Sequence, residues 1–170
     1  MSTSSSSYIN NHVENEEEFD YNEEGSFNVY ITSDNIDFIK KLTLEYPNKE
    51  TGGDLFGLWK EDGSVDIHHV IGPGMNAKRT SASFFQDSEY LKKAGEYLTH
   101  ENFCAHIGDW HSHHCLGLKC PSHGDSCTCV EALLKYNRQW FVLFIVNILK
   151  NNEVQINPYR YTDEPRIKER

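Results

Sequence analysis

Two histidines and an aspartate in the second half of the chain have the types and spacing of metal ligands. His111 and His113 form a His-x-His pair, and Asp125 ends a Ser-x-x-Asp sequence that begins at Ser122. In a β-strand, residues i and i+2 point to the same side, so both imidazoles can face one ion. Two histidines, one carboxylate and a water molecule form the tetrahedral coordination of many catalytic zinc sites. The spacing therefore predicts a hydrolytic centre with Zn²⁺ as its cofactor.

The surrounding chain must provide a strand for the histidines and a helix start for the aspartate. Residues 103–111 are largely apolar, which predicts a strand that ends in the histidine pair. Ser122 is a good N-cap, and Asp125 three residues later completes a pattern similar to a capping box. At a helix start the dipole favours a carboxylate, which can turn back toward the histidines. A single histidine or a capping aspartate would be weak evidence, and it is their combination that favours a metal site.

Other histidines near the pair compete as ligands. His114 directly follows His113, but it faces the other side if the strand continues. Strand alternation also places His106, five residues before His111, on the side opposite to His111. His123 lies in the loop of the motif, where it could contact a substrate. We therefore expect His111 and His113 to be the histidine ligands.

Hydrolysis of an amide needs a general base as well as a metal. Zinc lowers the pKa of a bound water to about 7, but a side chain must still take the proton and return it to the leaving amine. The chain has no His-Glu-x-x-His sequence, which supplies the base in many metalloproteases. Glu50, just before the Gly52-Gly53 pair, is our candidate for the general base and acid among many acidic residues. The Ser122 hydroxyl could donate to the developing oxyanion, or serve only as a helix cap.

The rest of the sequence alternates strand and helix patterns. The predicted strands span residues 27–31, 54–59 after the Gly52-Gly53 pair, 65–71, 81–86, 103–111, 140–149 and 153–161. The predicted helices begin near Ser33 or Asp34, near Asp87 or Ser88, and near Ser122. Residues 140–149 are apolar throughout and predict an interior strand, whereas the more polar residues 153–161 predict an edge strand. This pattern indicates an α/β (α+β) fold with a mixed β-sheet flanked by helices.

Composition and charge limit the partners of the chain. With 170 residues it fits one domain, predicted at residues 26–162, between a disordered acidic tail at 1–25 and a charged tail at 163–170. A net charge of −10 argues against nucleic-acid binding. No run of about 18 apolar residues predicts a membrane span, and no apolar segment after Met1 predicts a secretory signal. We expect an intracellular protein, in the cytoplasm or alternatively in the nucleus.

Four of the five cysteines lie close to the histidine pair in the sequence. They are Cys115, Cys120, Cys127 and Cys129. In an intracellular protein such cysteines are usually reduced thiols. A second, structural metal site is the alternative, but the spacing of these cysteines is not one that zinc sites commonly use. We expect buried or loop thiols.

The combined pattern resembles the JAMM/MPN metalloprotease family. Its motif of a Glu, then His-x-His, then Ser-x-x-Asp matches Glu50, His111, His113, Ser122 and Asp125. The resemblance extends over about residues 27–161, and the residue pattern of the motif is similar to that of bacterial-type members. It implies a cytidine-deaminase-like fold, one zinc ion, and a base and an oxyanion donor at Glu50 and Ser122. It also implies hydrolysis of isopeptide or peptide bonds after the C-terminal glycine of ubiquitin or a ubiquitin-like protein.

Two departures from the family motif bear on the substrate. His114 stands where many members have proline, and one extra residue separates His113 from Ser122 relative to the commonest eukaryotic spacing. Residues 72–85 are the predicted substrate-facing loop. Two alternatives remain open at this point: a non-catalytic scaffold with the same fold, and a zinc hydrolase acting on small amides or peptides.

Overall fold

A computed structural model describes residues 27–162 of the chain, and this range contains eight strands, three α-helices and one short 3-10 helix (Lys150–Asn152). The strands are β1 (Val29–Ile31), β2 (Gly52–Trp59), β3 (Val65–Val70), β4 (Lys78–Arg79), β5 (Phe84–Phe85), β6 (Ala105–Ser112), β7 (Trp140–Ile148) and β8 (Val154–Thr162). The helices are α1 (Ser33–Glu45), α2 (Ser88–His100) and α3 (His123–Lys135). The tails predicted at 1–25 and 163–170 lie outside the described residues. Within residues 27–162, no helix is both long and apolar enough to cross a membrane.

Six of the strands form one mixed sheet in the order β1-β3-β2-β6-β7-β8. Strands β1 and β3 are parallel, as are β6 and β7, and the other neighbours are antiparallel. This confirms the predicted α+β class with a mixed sheet and flanking helices. The sheet also has β7 inside and β8 at an edge, as their hydrophobicity predicted.

Alternation along β7 builds a core on each side of the sheet. Val142, Phe144 and Val146 join the core that α1 covers, whereas Phe141 and Ile145 join the core that α3 covers. Each strand residue from 141 to 148 is buried, because helices cover both faces. The α3 side of the sheet is the one that carries the candidate site.

Glycines allow β2 to lie close to its neighbours. A Cβ on Gly52 would collide with the backbone oxygen of Trp110, and one on Gly53 would collide with the backbone oxygen of Ile71. Backbone atoms cannot move away as a flexible side chain can, so these two positions require glycine. The Gly pair therefore fixes how closely the segment after Glu50 approaches β6.

Three local predictions were wrong in detail. The N-cap of α1 is Thr32, whose Oγ1 accepts from Asn35 N at 3.4 Å, rather than Ser33 or Asp34. The cap must have extended backbone, and Thr32 is the last residue that does. Strand β6 begins at Ala105 rather than at Phe103, whose positive φ of 54° breaks an extended strand.

The third difference concerns the predicted substrate-facing loop. Only Phe84 and Phe85 of the predicted strand 81–86 are extended, and they pair with Lys78 and Arg79 in a separate two-stranded sheet. The turn between them is closed by Thr80, whose N donates to Ser83 O at 2.8 Å. The loop is therefore a short hairpin, which sequence alternation alone did not indicate.

Candidate metal centre

The side chains of His111, His113 and Asp125 converge at the end of β6. The two Nε2 atoms lie 3.0 Å apart. Asp125 Oδ1 lies 3.3 Å from His111 Nε2, and Asp125 Oδ2 lies 3.5 Å from His113 Nε2. Tetrahedral zinc with bonds of 2.0–2.1 Å has ligand-to-ligand distances of about 3.3–3.4 Å. The three predicted ligands therefore have the spacing and the chemistry that zinc requires.

Hydrogen bonds to the neighbouring strands fix the two histidines on one face. Ser112, between them, points to the other face, where its buried Oγ accepts from Thr51 N at 3.1 Å. Ser112 N donates to Thr51 O at 2.7 Å, and His113 N donates to Val146 O at 2.8 Å. The extended conformation thus continues through His113, and both imidazoles face α3.

A backbone carbonyl sets the tautomer of His113. Its Nδ1 lies 2.8 Å from Leu118 O. A carbonyl oxygen can only accept, so Nδ1 carries the proton and Nε2 presents its lone pair to the site. Metal-binding histidines usually have such a partner on the other ring nitrogen, which orients the ring.

Asp125 is held in place by the start of α3. Ser122 Oγ accepts from Asp125 N at 3.2 Å, and Asp125 Oδ2 accepts from Ser122 N at 2.6 Å, which completes the predicted capping box. Burial alone would raise the pKa of Asp125, but hydrogen bonds to His111 and His113 hold it well below its usual range. The carboxylate is therefore ionised and aimed at the histidines.

The electrostatics of His113 show the influence of two carboxylates. Burial lowers the pKa of His113, but its hydrogen bonds with Asp125 and Leu118 and the charges of Asp125 and Glu50 outweigh burial. The pKa of His113 is consequently raised above its usual value. The two carboxylates therefore favour positive charge at this position.

Strand register brings Glu50 to the same face as the ligands. Gly52 pairs with His111 in the antiparallel β2–β6 ladder, and Thr51 accepts a backbone hydrogen bond from Ser112. If the same register continues by two residues, Glu50 lies opposite His113. Its side chain then points to the same side of the sheet as position 52, which faces His111. Glu50 is half-buried, and Glu50 N donates to Thr80 O at 2.8 Å. The predicted base thus lies beside the metal centre.

The β4–β5 hairpin borders the same centre. The rings of Phe84 and His111 have centroids 6.1 Å apart. His114 is buried, and its Nε2 lies 2.9 Å from Ser81 O, so this histidine binds the hairpin and not the candidate metal. His123 lies beside Cys127, 3.5 Å from Nε2 to Sγ. The predicted substrate-facing loop is therefore adjacent to the ligands.

The cysteines do not form a metal site among the described residues. Cys129 is buried in the core beneath α3, whereas Cys115, Cys120 and Cys127 are exposed. The groups of three convergent metal-ligating side chains found within residues 27–162 contain no cysteine. The burial of Cys129 and the exposure of the other three are the positions expected of buried or loop thiols.

A second group of polar residues was missed by the sequence reasoning. Asp54, His106 and Asp109 meet on the α3 side of the sheet. The prediction that His106 lies opposite to His111 was wrong because β6 has a bulge: Gly108 pairs with Leu55, but the next pair is Phe56 with His106. The extra residue, Ile107, reverses the alternation. The sequence carried one sign of this group: Asp54, His106 and Asp109 are polar residues within strands that are otherwise largely apolar.

Comparison with known proteins supports the fold of the chain and gives no information about the candidate site. No family model matches the chain, and no curated protein matches its sequence. The chain is similar to a solution structure of protein DSY2949 from Desulfitobacterium hafniense, with a TM-score of 0.60 and 14% sequence identity. The match covers 81% of this chain and 86% of that chain. At this identity the likeness shows a shared α+β fold alone.

Proposed function

We propose that this chain is a zinc-dependent isopeptidase of the JAMM/MPN type. Its substrates would be isopeptide or peptide bonds after the C-terminal glycine of ubiquitin or a ubiquitin-like protein. The observation that carries the hydrolase proposal is the convergence of two Nε2 atoms and one carboxylate at zinc-like distances. The choice of substrate rests on the resemblance of the motif, which includes Glu50 and Ser122.

The residues around the ligands can perform the proton transfers that amide hydrolysis requires. When bound, zinc would lower the pKa of a coordinated water and polarise the scissile carbonyl. Glu50, opposite His113, would accept a proton from the attacking water and deliver it to the leaving amine. Ser122 Oγ already accepts from Asp125 N, so the hydroxyl hydrogen is free to donate to the developing oxyanion.

Exposed apolar side chains beside the site support a protein substrate. Leu116 and Leu118 are more than half exposed in the loop whose carbonyl binds His113, and Phe85 is exposed in the hairpin on the other side. An extended tail that ends in glycine could lie between the two segments. A small amide would leave these side chains unused, so they favour the isopeptidase over the small-amide hydrolase.

Substitution of the base tests the proposal most directly. Glu50→Gln should bind zinc as the wild type does and lose at least about 100-fold in cleavage rate, because proton transfer is removed without touching a ligand. The substrates are ubiquitin and ubiquitin-like proteins with a fluorogenic C-terminal amide. Zinc content is measured on the same preparations.

The matched control is Glu61→Gln, an exposed residue in the turn after the far end of β2. It should leave both zinc content and cleavage unchanged. Full activity of Glu50→Gln would overturn the assignment of the base. Stoichiometric zinc without cleavage of any of these substrates by the wild type would overturn the isopeptidase proposal.

A further inference from the structure

We propose that Asp54, His106 and Asp109 form a second divalent-cation site, separate from the zinc centre. The proposal concerns three residues that the isopeptidase mechanism does not use. It does not depend on that mechanism, because it would hold for any function of the first centre.

The three side chains have converging ligand atoms. His106 Nε2 lies 2.9 Å from Asp109 Oδ1, and one ligand atom of each residue lies within 4.8 Å of the other two. All three residues are partly buried, with side-chain exposures of 26% for His106 and 29% for Asp109. Partial burial leaves the cluster open to an ion and to the waters that would complete its coordination.

The bulge in β6 is what assembles the cluster. Asp54 pairs directly with Asp109, and Phe56 pairs with His106. The unpaired Ile107 puts His106 on the same side as Asp109, three residues later, where strict alternation would separate them. Bulges are common beside functional sites because they re-aim a side chain in this way.

The charges of the cluster lack a full counter-charge. Two carboxylates directly opposite each other in a sheet destabilise it. Burial, and then the charge of Asp109, raise the pKa of Asp54 to about 6, although His106 and Gln86 act in the opposite direction. Arg138 is near enough to lower the pKa of His106 and to feel the charge of Asp109, but within residues 27–162 it makes no ion pair with either aspartate. A divalent cation would neutralise both carboxylates.

The neighbours of the cluster orient its ligands. Gln86 Nε2 donates to Asp54 Oδ1 at 3.0 Å, which fixes that carboxylate and leaves its second oxygen available. The rings of Phe56 and Phe141 have centroids 5.4 Å and 5.6 Å from that of His106. Partners that hold ligands in place are typical of metal sites. A cation would displace the proton between His106 Nε2 and Asp109 Oδ1 and release it to solvent.

The ligand set and its position define the kind of site. One imidazole with two carboxylates suits borderline and hard first-row ions, such as Mn²⁺ and Zn²⁺, better than thiophilic ones. Asp109 precedes His111 by two residues, or about 7 Å of extended chain. The two groups of side chains share no ligand, so each centre can be removed by substitution without touching the other.

Metal content distinguishes the two centres. The full chain is stripped with a chelator, dialysed against Zn²⁺ or Mn²⁺, and its bound metal is measured. We expect two equivalents of Zn²⁺ in the wild type, one in Asp125→Ala, one in Asp54→Asn and none in the double variant. The exposed Asp37→Asn in α1 is the matched control and should keep two. A single equivalent in the wild type that Asp125→Ala abolishes, or no loss in Asp54→Asn, overturns the second site.

Thermal unfolding provides a readout at this centre alone. Saturating Mn²⁺ should raise the unfolding midpoint of Asp125→Ala by about 5–10 °C, and Asp54→Asn in that background should remove the rise. The amide introduced by Asp54→Asn keeps an oxygen for Gln86 to donate to, and His106→Gln repeats the test at an independent position. A rise that survives both substitutions overturns the proposal. Failure of the first centre would appear differently, as no loss of zinc in Asp125→Ala.

Discussion

Ser122 and Asp125 hold each other through their backbone amides, 3.2 Å from Asp125 N to Ser122 Oγ and 2.6 Å from Ser122 N to Asp125 Oδ2. The same carboxylate faces His111 and His113. One hydrogen-bonded pair therefore both begins α3 and orients a candidate metal ligand. Stability of the helix and affinity for metal should consequently change together.

Ser122→Ala should weaken both properties. Loss of the cap lowers the free energy of unfolding by about 1 kcal/mol, and loss of a residue that orients a ligand lowers zinc affinity by about tenfold. Denaturant unfolding and competition with a zinc chelator measure the two effects. Ser122→Thr keeps the oxygen and should retain most of both. Wild-type zinc affinity in Ser122→Ala would show that Asp125 needs no help from the cap.

Zinc affinity should fall as the solution becomes acidic. Burial lowers the pKa of His113, but Asp125, Leu118 and Glu50 outweigh it and raise the pKa, so its proton competes with zinc at a higher pH than that of an ordinary histidine would. Below the raised pKa we expect up to about a tenfold loss of affinity per pH unit for each proton displaced. Chelator competition between pH 5 and 8 measures it. An affinity independent of pH over this range would contradict the assignment of His113 as a ligand.

The metal-free protein should lose stability as pH rises through the range where Asp54 ionises. The pKa of Asp54 is raised from 3.8 to about 6, so the folded state binds more protons than the unfolded state between these values. The raised pKa of His106 acts with the same sign, since its stabilisation is present below its unfolded pKa and is lost as pH rises through the folded one. The loss should be on the order of 1–3 kcal/mol between pH 4 and 7.

Asp54→Asn checks the origin of this pH dependence. With chelator present, denaturant unfolding of this variant should show a flatter profile than that of the wild type or of the control Asp37→Asn. Identical profiles for Asp54→Asn and the wild type would assign the pH dependence to other groups.

Two glycine substitutions should have opposite effects. Gly53→Ala places a Cβ against the backbone oxygen of Ile71, and we expect a loss of about 3 kcal/mol in the free energy of unfolding. Gly95→Ala in α2 meets its nearest atom, of Phe56, at 3.7 Å, and should gain about 0.5–1 kcal/mol from helix propensity. Denaturant unfolding of both variants measures the difference. A stable Gly53→Ala would mean that β2 and the segment containing Ile71 can separate freely.

Local patterns in the sequence predicted much of the fold and the residues that meet at the first centre. The apolar run at 140–149 predicted an interior strand because burial on both faces requires it. His111 and His113 were predicted to share a face because their alternation depends on nothing outside the strand. Ser122 and Asp125 followed from capping chemistry, which acts over three residues.

Features that depend on a partner strand were not predictable in the same way. The bulge at Ile107 results from the pairing of β6 with β2. Patterns within a single segment do not show which strand will pair with it, so the bulge could not be predicted from them. The approach of Glu50 to His113 depends on the same register, so the residues alone offered Glu50 as one candidate among many acids and the resemblance to a known motif singled it out. The β4–β5 hairpin has two residues in each strand, too few for alternation to be detected.

The single extra residue in β6, Ile107, shifts the alternation of side chains by one position for the part of the strand that precedes it. Every strand residue before Ile107 lies on the face opposite to the one that counting back from His111 would assign. Deleting Ile107 would place His106 two residues before Asp109, so that regular alternation would keep these two side chains and the His111–His113 pair on one face. With Ile107 in place, β6 carries both candidate ligand groups on one face because the bulge shifts the alternation of its two halves.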